Sequence, residues 1–229
     1  MKAQENAAAA YAEIKAHAEA YRRELKENKP FIMVGTATCG RAAGALEVAG
    51  AFREEIQKNN IDCSVIEVGC MGHCYAEPIA IISKPGYPPV AYGYVNPTIA
   101  ERLVNEFIQG DNPCMEFVLA ALEPNDSIPA FQEFPRARYE KKIILKNCGL
   151  IDPTRIEDYI NTGGYSALAK ALGMDQQDVI NEFKKAGLRG RGGAGYPAGK
   201  KWQAVRDNQV TPKYFICNAD EGDPGAFGD

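Results

Sequence analysis

The chain has 229 residues, of which 45% are hydrophobic and 24% are charged, a composition typical of globular proteins. The formal net charge is −4 at pH 7 and no basic run occurs, so nucleic-acid binding gains no support. No 18-residue apolar stretch and no signal peptide are found, which predicts a cytoplasmic protein without direct membrane insertion. In that compartment the seven cysteines are expected to be ligands or core residues rather than disulfides.

The N-terminal part of the sequence predicts a helix followed by a small α/β domain. Residues 1–27 carry apolar side chains at helical spacing, and this helix ends before Pro30. Residues 28–110 then predict strands at 31–34, 61–68, 79–82 and 90–94, and helices at 42–56 and 97–108. A small sheet with helices in this order indicates a thioredoxin-like layer architecture.

Three cysteines fall in predicted loops of this domain. Cys39 lies between the first strand and its helix, and Cys70 and Cys74 follow the second strand. Thiolates at such loop tips can converge on iron. Cys63 lies on the predicted second strand, roughly 20 Å from the loop at about 3.3 Å per residue, and is therefore predicted to be a core thiol.

The remaining sequence predicts a linker and a second domain. Residues 111–140 contain four prolines and no clear period, which indicates an extended linker. Residues 141–229 predict a strand at 143–145, a helix at 152–163 and a helix at 175–187. Asp152 and Asp175 are the predicted N-caps of the two helices.

The segment 187–202, GLRGRGGAGYPAGKKW, concentrates glycines and positive charge. Glycines let a phosphate approach backbone N–H groups, and arginine and lysine supply the opposite charge. The spacing of Gly190, Gly192 and Gly195 fits G-x-G-x-x-G, but the preceding helix argues against a dinucleotide fold. A Walker loop would need Ser or Thr where Lys201 stands. The loop therefore predicts a nucleotide or flavin phosphate site of another type.

Downstream, an aromatic and β-branched run from Tyr214 ends in asparagine and acidic residues. This pattern predicts a buried strand that delivers polar groups to a loop. Carboxylates accept hydrogen bonds from ribityl or ribose hydroxyls and from ring N–H groups. Combined with the glycine loop, they suit a ligand with a phosphate at one end and hydroxyls along its middle.

The two motifs, Gly190–Trp202 and Cys217–Gly225, together resemble the FMN-binding region of the flavoprotein subunit that oxidises NADH in respiratory complex I and in NAD(P)-linked hydrogenases and formate dehydrogenases. The resemblance implies contacts to FMN from Gly190, Arg191, Gly192, Gly193, Lys201, Asn218, Asp220 and Glu221. It also places Tyr196 and Asp223 on the nicotinamide and dinucleotide side. Ala204 and Asp223 depart from the residues usual in respiratory members, which favours a soluble, hydrogenase-like or bifurcating relative.

The first domain resembles the thioredoxin-like [2Fe–2S] ferredoxin domain that hydrogenase-type members often carry ahead of the flavin domain. This resemblance implies Cys39, Cys70 and Cys74 as metal ligands. The family pattern has a fourth cysteine at the end of the first strand, where this chain has a methionine and a valine. Two alternatives stay open: a [2Fe–2S] cluster with an unknown fourth ligand, for which His73 is a candidate, or a domain that has lost its cluster.

The expected fold is therefore α/β, a thioredoxin-like domain followed by the N-terminal portion of an FMN-binding domain. The expected function is hydride transfer between NAD(P)H and FMN, with electrons passed to iron–sulfur subunits of a soluble multi-subunit complex; no side chain need act as a general acid or base. Because the sequence stops inside the second motif, we expect a longer protein whose C-terminal part carries a [4Fe–4S] cluster. The alternative is a non-catalytic docking or electron-relay module.

Overall fold

The computed structural model describes residues 2–26, 29–135, 137–191, 193–214, 216 and 218. It comprises two compact units, Ile14–Gly164 and a second unit formed by Met1–Glu13 with Tyr165–Asp229. The long N-terminal helix α1 covers Lys2–Lys26, as the sequence predicts. The domain boundaries expected at residues 28, 111 and 141 stay predictions. None of the helices among the described residues combines the length and apolar character needed to cross a membrane.

The unit of residues 14–164 is built around one sheet. Its strands are β1 (Phe31–Gly35), β2 (Ser64–Val68), β3 (Ala80–Ser83), β4 (Val90–Tyr92) and β5 (Val118–Ala121). Its further helices are α2 (Thr38–Ala42), α3 (Ala45–Lys58), α4 (Pro97–Arg102) and α5 (Ile156–Asn161). A π-helical segment, Leu103–Ile108, extends α4.

The strand order is β2-β1-β3-β4-β5. β1 and β2 run parallel, joined by the crossover through α2 and α3, whereas β3, β4 and β5 are each antiparallel to their neighbours. A βαβ crossover followed by an antiparallel ββ pair is the thioredoxin-like arrangement, so this prediction is confirmed.

Both faces of the sheet are buried, which explains the unbroken apolar run of β1. Ile32 and Val34 pack into the larger core cluster, while Phe31 and Met33 pack into a second cluster on the opposite face. The methionine and valine that stand in place of the family's cysteine are thus core residues. In the larger cluster, α3 contributes Phe52 among its buried side chains.

The helix predicted over 42–56 is in fact two helices. α2 ends at Ala42 and α3 begins at Ala45, because Gly44 between them adopts a left-handed conformation with φ of 98°. Leu46, assigned to the buried face of the predicted helix, is 45% exposed. The strand predicted over 61–68 begins only at Ser64.

Three predictions for residues 111–164 are wrong. Strand β5 lies inside the predicted linker and completes the sheet beside β4. The strand expected at 143–145 is instead exposed, and a 3-10 turn covers Ile144–Asn147, because this segment pairs with no strand of the described sheet. Asp152 is not the cap of α5: its carboxylate accepts hydrogen bonds from the N–H and hydroxyl of Thr154 at 2.8 and 2.6 Å, which delays the helix to Ile156.

The second unit is helical in its described part. It contains α6 (Ser166–Leu172), α7 (Gln176–Ala186) and α8 (Ala198–Asp207). The predicted cap is confirmed, because the Asp175 carboxylate accepts a 2.7 Å hydrogen bond from the N–H of Gln177. Gly187 ends α7 in the left-handed conformation, as its position predicts.

Candidate functional site

The glycine loop, residues 187–197, joins the C-terminus of α7 to the N-terminus of α8. Two backbone hydrogen bonds close it, from the N–H of Gly190 to the carbonyl of Tyr196 and from the N–H of Ala198 to the carbonyl of Leu188, both 2.9 Å long. The Arg189 side chain folds back across the loop, and its Nε donates to the Gly195 carbonyl at 2.6 Å. The loop is therefore held in one shape by its own atoms.

The backbone of this loop is open to solvent. Gly193 has a φ of 98°, and a Cβ atom added there would meet nothing within 4 Å. Glycine is thus required at this position by conformation, while the space beside it is free. Gly190, Arg191 and Gly193 are all exposed, so backbone and cationic groups lie together at the surface. Such a surface can accept phosphate oxygens.

Helix α8 is not predicted from the sequence, in which residues 187–202 are expected to form one loop. The helix starts at Ala198, directly after the loop, and the preceding Pro197 provides no side-chain cap. Its N-terminus therefore brings the positive end of the helix dipole to the loop. Pro197 ahead of a lysine-rich, apolar-periodic segment is the signal that could have revealed this helix. Helix α7 ends at the loop, so its own N-terminus lies at the opposite end of the helix.

Close packing between α7 and α8 fixes the two ends of the loop. The ring centroids of Phe183 and Trp202 lie 4.1 Å apart, so Trp202 packs against α7. Gly199 is buried, and a Cβ atom there would come within 2.8 Å of the backbone nitrogen of Lys184. A side chain at position 199 would thus force the two helices apart.

Lys201 lies on the side of α8 that lines a cavity of about 620 Å³. The cavity is also lined by Arg206 and Lys213, and by apolar side chains including Trp202 and Tyr214. The Nε atom of Arg206 is buried and has no hydrogen-bond partner in the described part of the chain. Three cations beside apolar side chains make this cavity suitable for an anionic, partly apolar ligand. The described residues that line this cavity include none from the glycine loop. Gly187, Leu188 and Pro197 line a different cavity together with Lys200, so the structure does not bring Lys201 into one cavity with the loop.

The acidic half of the expected site is only partly described. Asn218 is exposed, whereas Gly192, Asp220, Glu221 and Asp223 lie outside the described residues. The strand predicted from Tyr214 does not form in the described part: Tyr214 is 80% exposed and Ile216 is 86% exposed. A strand needs a partner strand, and the described residues of this unit contain none. Tyr196 borders the loop and is also exposed.

The loop cysteines of the thioredoxin-like unit are brought together in part. The Sγ atoms of Cys70 and Cys74 lie 3.4 Å apart, and Cys39 is exposed on α2. Burial raises the pKa of Cys70, with smaller contributions from Cys74 and Glu77. Among the described residues, no three His, Cys, Asp or Glu side chains are grouped closely enough to hold a metal ion. The metal-ligand set therefore stays a prediction.

The structure also describes His73, the candidate fourth metal ligand, and Cys63, the predicted core thiol. His73 is buried and its ring stacks on Phe131 at 4.4 Å, so aromatic packing accounts for much of its environment. Cys63 lies just before β2 and packs against the larger core cluster, and burial raises its pKa to about 12. Its interpretation as a core thiol is confirmed.

The chain matches one family model, at its C-terminal end, and is similar to several known proteins. Residues 183–229 match the family model Complex1_51K, the Nuo51 FMN-binding domain. The NADP-reducing hydrogenase subunit HndC of Solidesulfovibrio fructosivorans is 53% identical over 83 residues, 36% of this chain. A subunit of the NADH-quinone oxidoreductase of Aquifex aeolicus is 54% identical over 74 residues, 32% of this chain. The chain spans only 17% of the length of each of these relatives.

Among solved structures, the chain is similar to a thioredoxin-like [2Fe-2S] ferredoxin from Aquifex aeolicus, with a TM-score of 0.35 and 24% identity. That likeness covers 41% of this chain and 98% of the ferredoxin. The glycine loop and the acidic motif both fall within the family match. Residues 183–229 are therefore similar to the Nuo51 FMN-binding domain, which agrees with the resemblance of the two motifs.

Proposed function

We propose that the glycine loop, the N-terminus of α8 and Lys201 hold the phosphate of FMN. The observation that carries this proposal is the self-closed loop, which presents exposed glycine backbone and Arg191 directly ahead of a helix N-terminus. A dianionic phosphate gains from oriented N–H groups and from nearby cations at the same time.

Within this proposal the residues of the acidic motif hold the rest of the flavin. Asn218, Asp220 and Glu221 bind the ribityl hydroxyls and the ring, because amide and carboxylate oxygens accept hydrogen bonds from those groups. The exposed ring of Tyr196 and the carboxylate of Asp223 orient the nicotinamide dinucleotide. When bound, FMN supplies the conversion between two-electron and one-electron transfer. No proton transfer by a side chain is required.

At the level of the whole protein, we propose a cytoplasmic NAD(P)H-oxidising, or NAD(P)⁺-reducing, flavoprotein that exchanges electrons with iron–sulfur clusters. The two relatives are by name subunits of a hydrogenase and of a quinone oxidoreductase, which supports a subunit role in a multi-subunit complex. Other redox subunits are then its partners.

A second candidate function concerns the thioredoxin-like unit, which could serve as a docking or electron-relay module. It is favoured by the exposed apolar side chains of Tyr139, Ile143 and Ile144, which are 77%, 68% and 75% exposed. Apolar side chains clustered at a surface are typical of interaction sites. The flavin proposal does not depend on this second role.

Titration of the 229-residue chain with FMN and with riboflavin, followed by flavin fluorescence, tests the phosphate site. FMN should bind more tightly than riboflavin, which lacks the phosphate. Lys201→Ala should weaken FMN binding by roughly 1.5–3 kcal/mol, the usual range for hydrogen bonds to charged groups, and leave riboflavin unaffected. Lys170→Ala, which removes an exposed lysine paired with Glu182, is the matched control and should change neither affinity. Equal binding of FMN and riboflavin by the unaltered chain would contradict the proposal.

A further inference from the structure

The pair Cys70 and Cys74 lies in the loop that follows β2 of the thioredoxin-like unit. Their sulfur atoms are 3.4 Å apart, whereas a disulfide bond needs about 2.05 Å. The sulfur atoms therefore need to approach each other by roughly 1.4 Å to bond. We propose that Cys70 and Cys74 are a reversible dithiol that undergoes exchange with disulfides of low molecular weight.

Local contacts hold this loop in the shape that brings the sulfurs together. Gly72 adopts a φ of 88°, and its N–H donates to the Sγ of Cys70 at 3.2 Å. The Met71 carbonyl accepts a 3.3 Å hydrogen bond from the Lys142 ammonium group. Cys74 opens a 3-10 turn, Cys74–Ala76, that leads into the buried residues before β3. These contacts therefore keep the two sulfur atoms close together while both cysteines are still reduced.

The two thiols differ in access, which assigns their order of reaction. Cys74 is exposed, so a disulfide in solution reaches it directly. Cys70 is half-buried and lines a cavity of about 530 Å³ together with Cys148 and the segment 140–145. The cavity has room for a small thiol beside Cys70. Cys74 is thus the attacking sulfur, and Cys70 is the sulfur that resolves the mixed disulfide.

The chemistry balances in two exchange steps. The Cys74 thiolate attacks one sulfur of the external disulfide, forming a mixed disulfide and releasing one small thiolate. The Cys70 thiolate then attacks the Cys74 sulfur and releases the second small thiolate, leaving a Cys70–Cys74 disulfide. The two cysteines lose two electrons and two protons, and the external disulfide gains them. A small dithiol reverses both steps. This role is separate from flavin binding and uses the compact loop geometry alone.

The test uses the reduced 229-residue chain under anaerobic conditions, with oxidised glutathione as the probe. Iron and acid-labile sulfide are counted first, and acid quenching, thiol alkylation and peptide mass mapping follow the reaction. We expect an iron-free chain, a peptide cross-linked between Cys70 and Cys74, two glutathione thiols released per chain, and full reversal by dithiothreitol.

Single serine variants establish the order of attack. Cys70→Ser should accumulate a glutathione adduct on Cys74, while Cys74→Ser should react more slowly at Cys70, because Cys70 is the less exposed of the two thiols. Cys63→Ala, at a half-buried thiol that packs against the larger core cluster, is the matched control and should form the cross-link at the rate of the unaltered chain. If a serine variant does not fold, the peptide map of the unaltered chain still decides. Iron retained on Cys70 and Cys74, or glutathione adducts without a cross-link, would overturn the proposal.

Discussion

The indole ring of Trp202 packs against the phenyl ring of Phe183, with the ring centroids 4.1 Å apart, and so ties the helix after the glycine loop to the helix before it. A loop whose two ends are fixed in this way loses little conformational entropy when it binds a ligand. The aromatic pair therefore links the packing of α7 and α8 to the phosphate site proposed between them.

Phe183→Ala should loosen this pairing. Loss of the half-buried ring and of its aromatic contact should lower the free energy of unfolding by about 2 kcal/mol. Trp202 is the single tryptophan of the chain, so its fluorescence reports the same contact and should shift to longer wavelength. Phe183→Leu is the control and should keep most of the stability. An unchanged emission spectrum in Phe183→Ala would show that the two rings do not pack in solution.

Gly199→Ala should disturb the same helix pair by a different route. The added methyl group would lie 2.8 Å from the Lys184 backbone nitrogen, which requires a shift of the backbone and should cost about 1–3 kcal/mol. Hydrogen exchange should become faster in α7 and α8. Gly50→Ala in α3 is the control, because a Cβ atom there meets nothing within 4 Å. If both variants leave the exchange of α7 and α8 unchanged, the close approach at Gly199 is wrong.

Arg189 and Arg191 should have separable effects on FMN binding. Arg189→Ala removes the hydrogen bond to the Gly195 carbonyl, so the loop amides should exchange faster, with a change in unfolding free energy below about 0.5 kcal/mol. Arg191→Ala should leave loop exchange unchanged but weaken FMN binding by removing a cation. If hydrogen exchange in the loop is identical in the two variants, then Arg189 does not hold the loop in shape while Arg191 only supplies positive charge, and the separate roles are wrong.

Glu77 should make the stability of the thioredoxin-like unit depend on pH. Burial raises the pKa of this carboxyl group, although the hydrogen bond from the Ile79 N–H partly opposes the shift. Between the ordinary glutamate pKa and the raised folded value, the folded chain binds more protons than the unfolded chain. The free energy of unfolding therefore falls as pH rises through that window.

Glu77→Gln should remove this dependence. Below the ordinary glutamate pKa, the free energy of unfolding of Glu77→Gln should not exceed that of the unaltered chain because of this group. As pH rises from that pKa to the raised folded value, the difference in favour of Glu77→Gln should grow. Denaturant titrations at several pH values measure the difference. Glu54→Gln, on the exposed face of α3, is the control and should leave the pH profile unaltered. A constant offset of Glu77→Gln at every pH would mean that this carboxyl does not titrate differently on folding.

The dithiol also bears on the expectation that the cysteines form no structural disulfides. That expectation follows from the reducing character of the cytoplasm, where disulfides are usually transient. A reversible Cys70–Cys74 couple is compatible with it. Cys63 is half-buried against the larger core cluster, and Cys114 is buried within it, where its thiol donates to the Asn112 carbonyl and the Glu106 carboxylate.

Periodicity predicted the elements whose contacts are local. The N-terminal helix and the helix capped by Asp175 follow from residues near one another in sequence, and the strand at 31–34 was predicted by its unbroken apolar run although its partner strands are distant. The two C-terminal motifs predicted the similarity to an FMN-binding domain, because the residue types themselves carry the backbone freedom and the charge that a phosphate site needs.

Only the tertiary structure decided which apolar runs become strands. Val118–Ala121 pairs with β4 although prolines surround it, while Ile143–Leu145 stays exposed although its composition favours a strand. Strand formation depends on a partner that is distant in sequence, and local composition cannot specify that partner. The same holds for the 3.4 Å approach of Cys70 to Cys74, since it is set by the left-handed turn at Gly72 and the contacts of its loop.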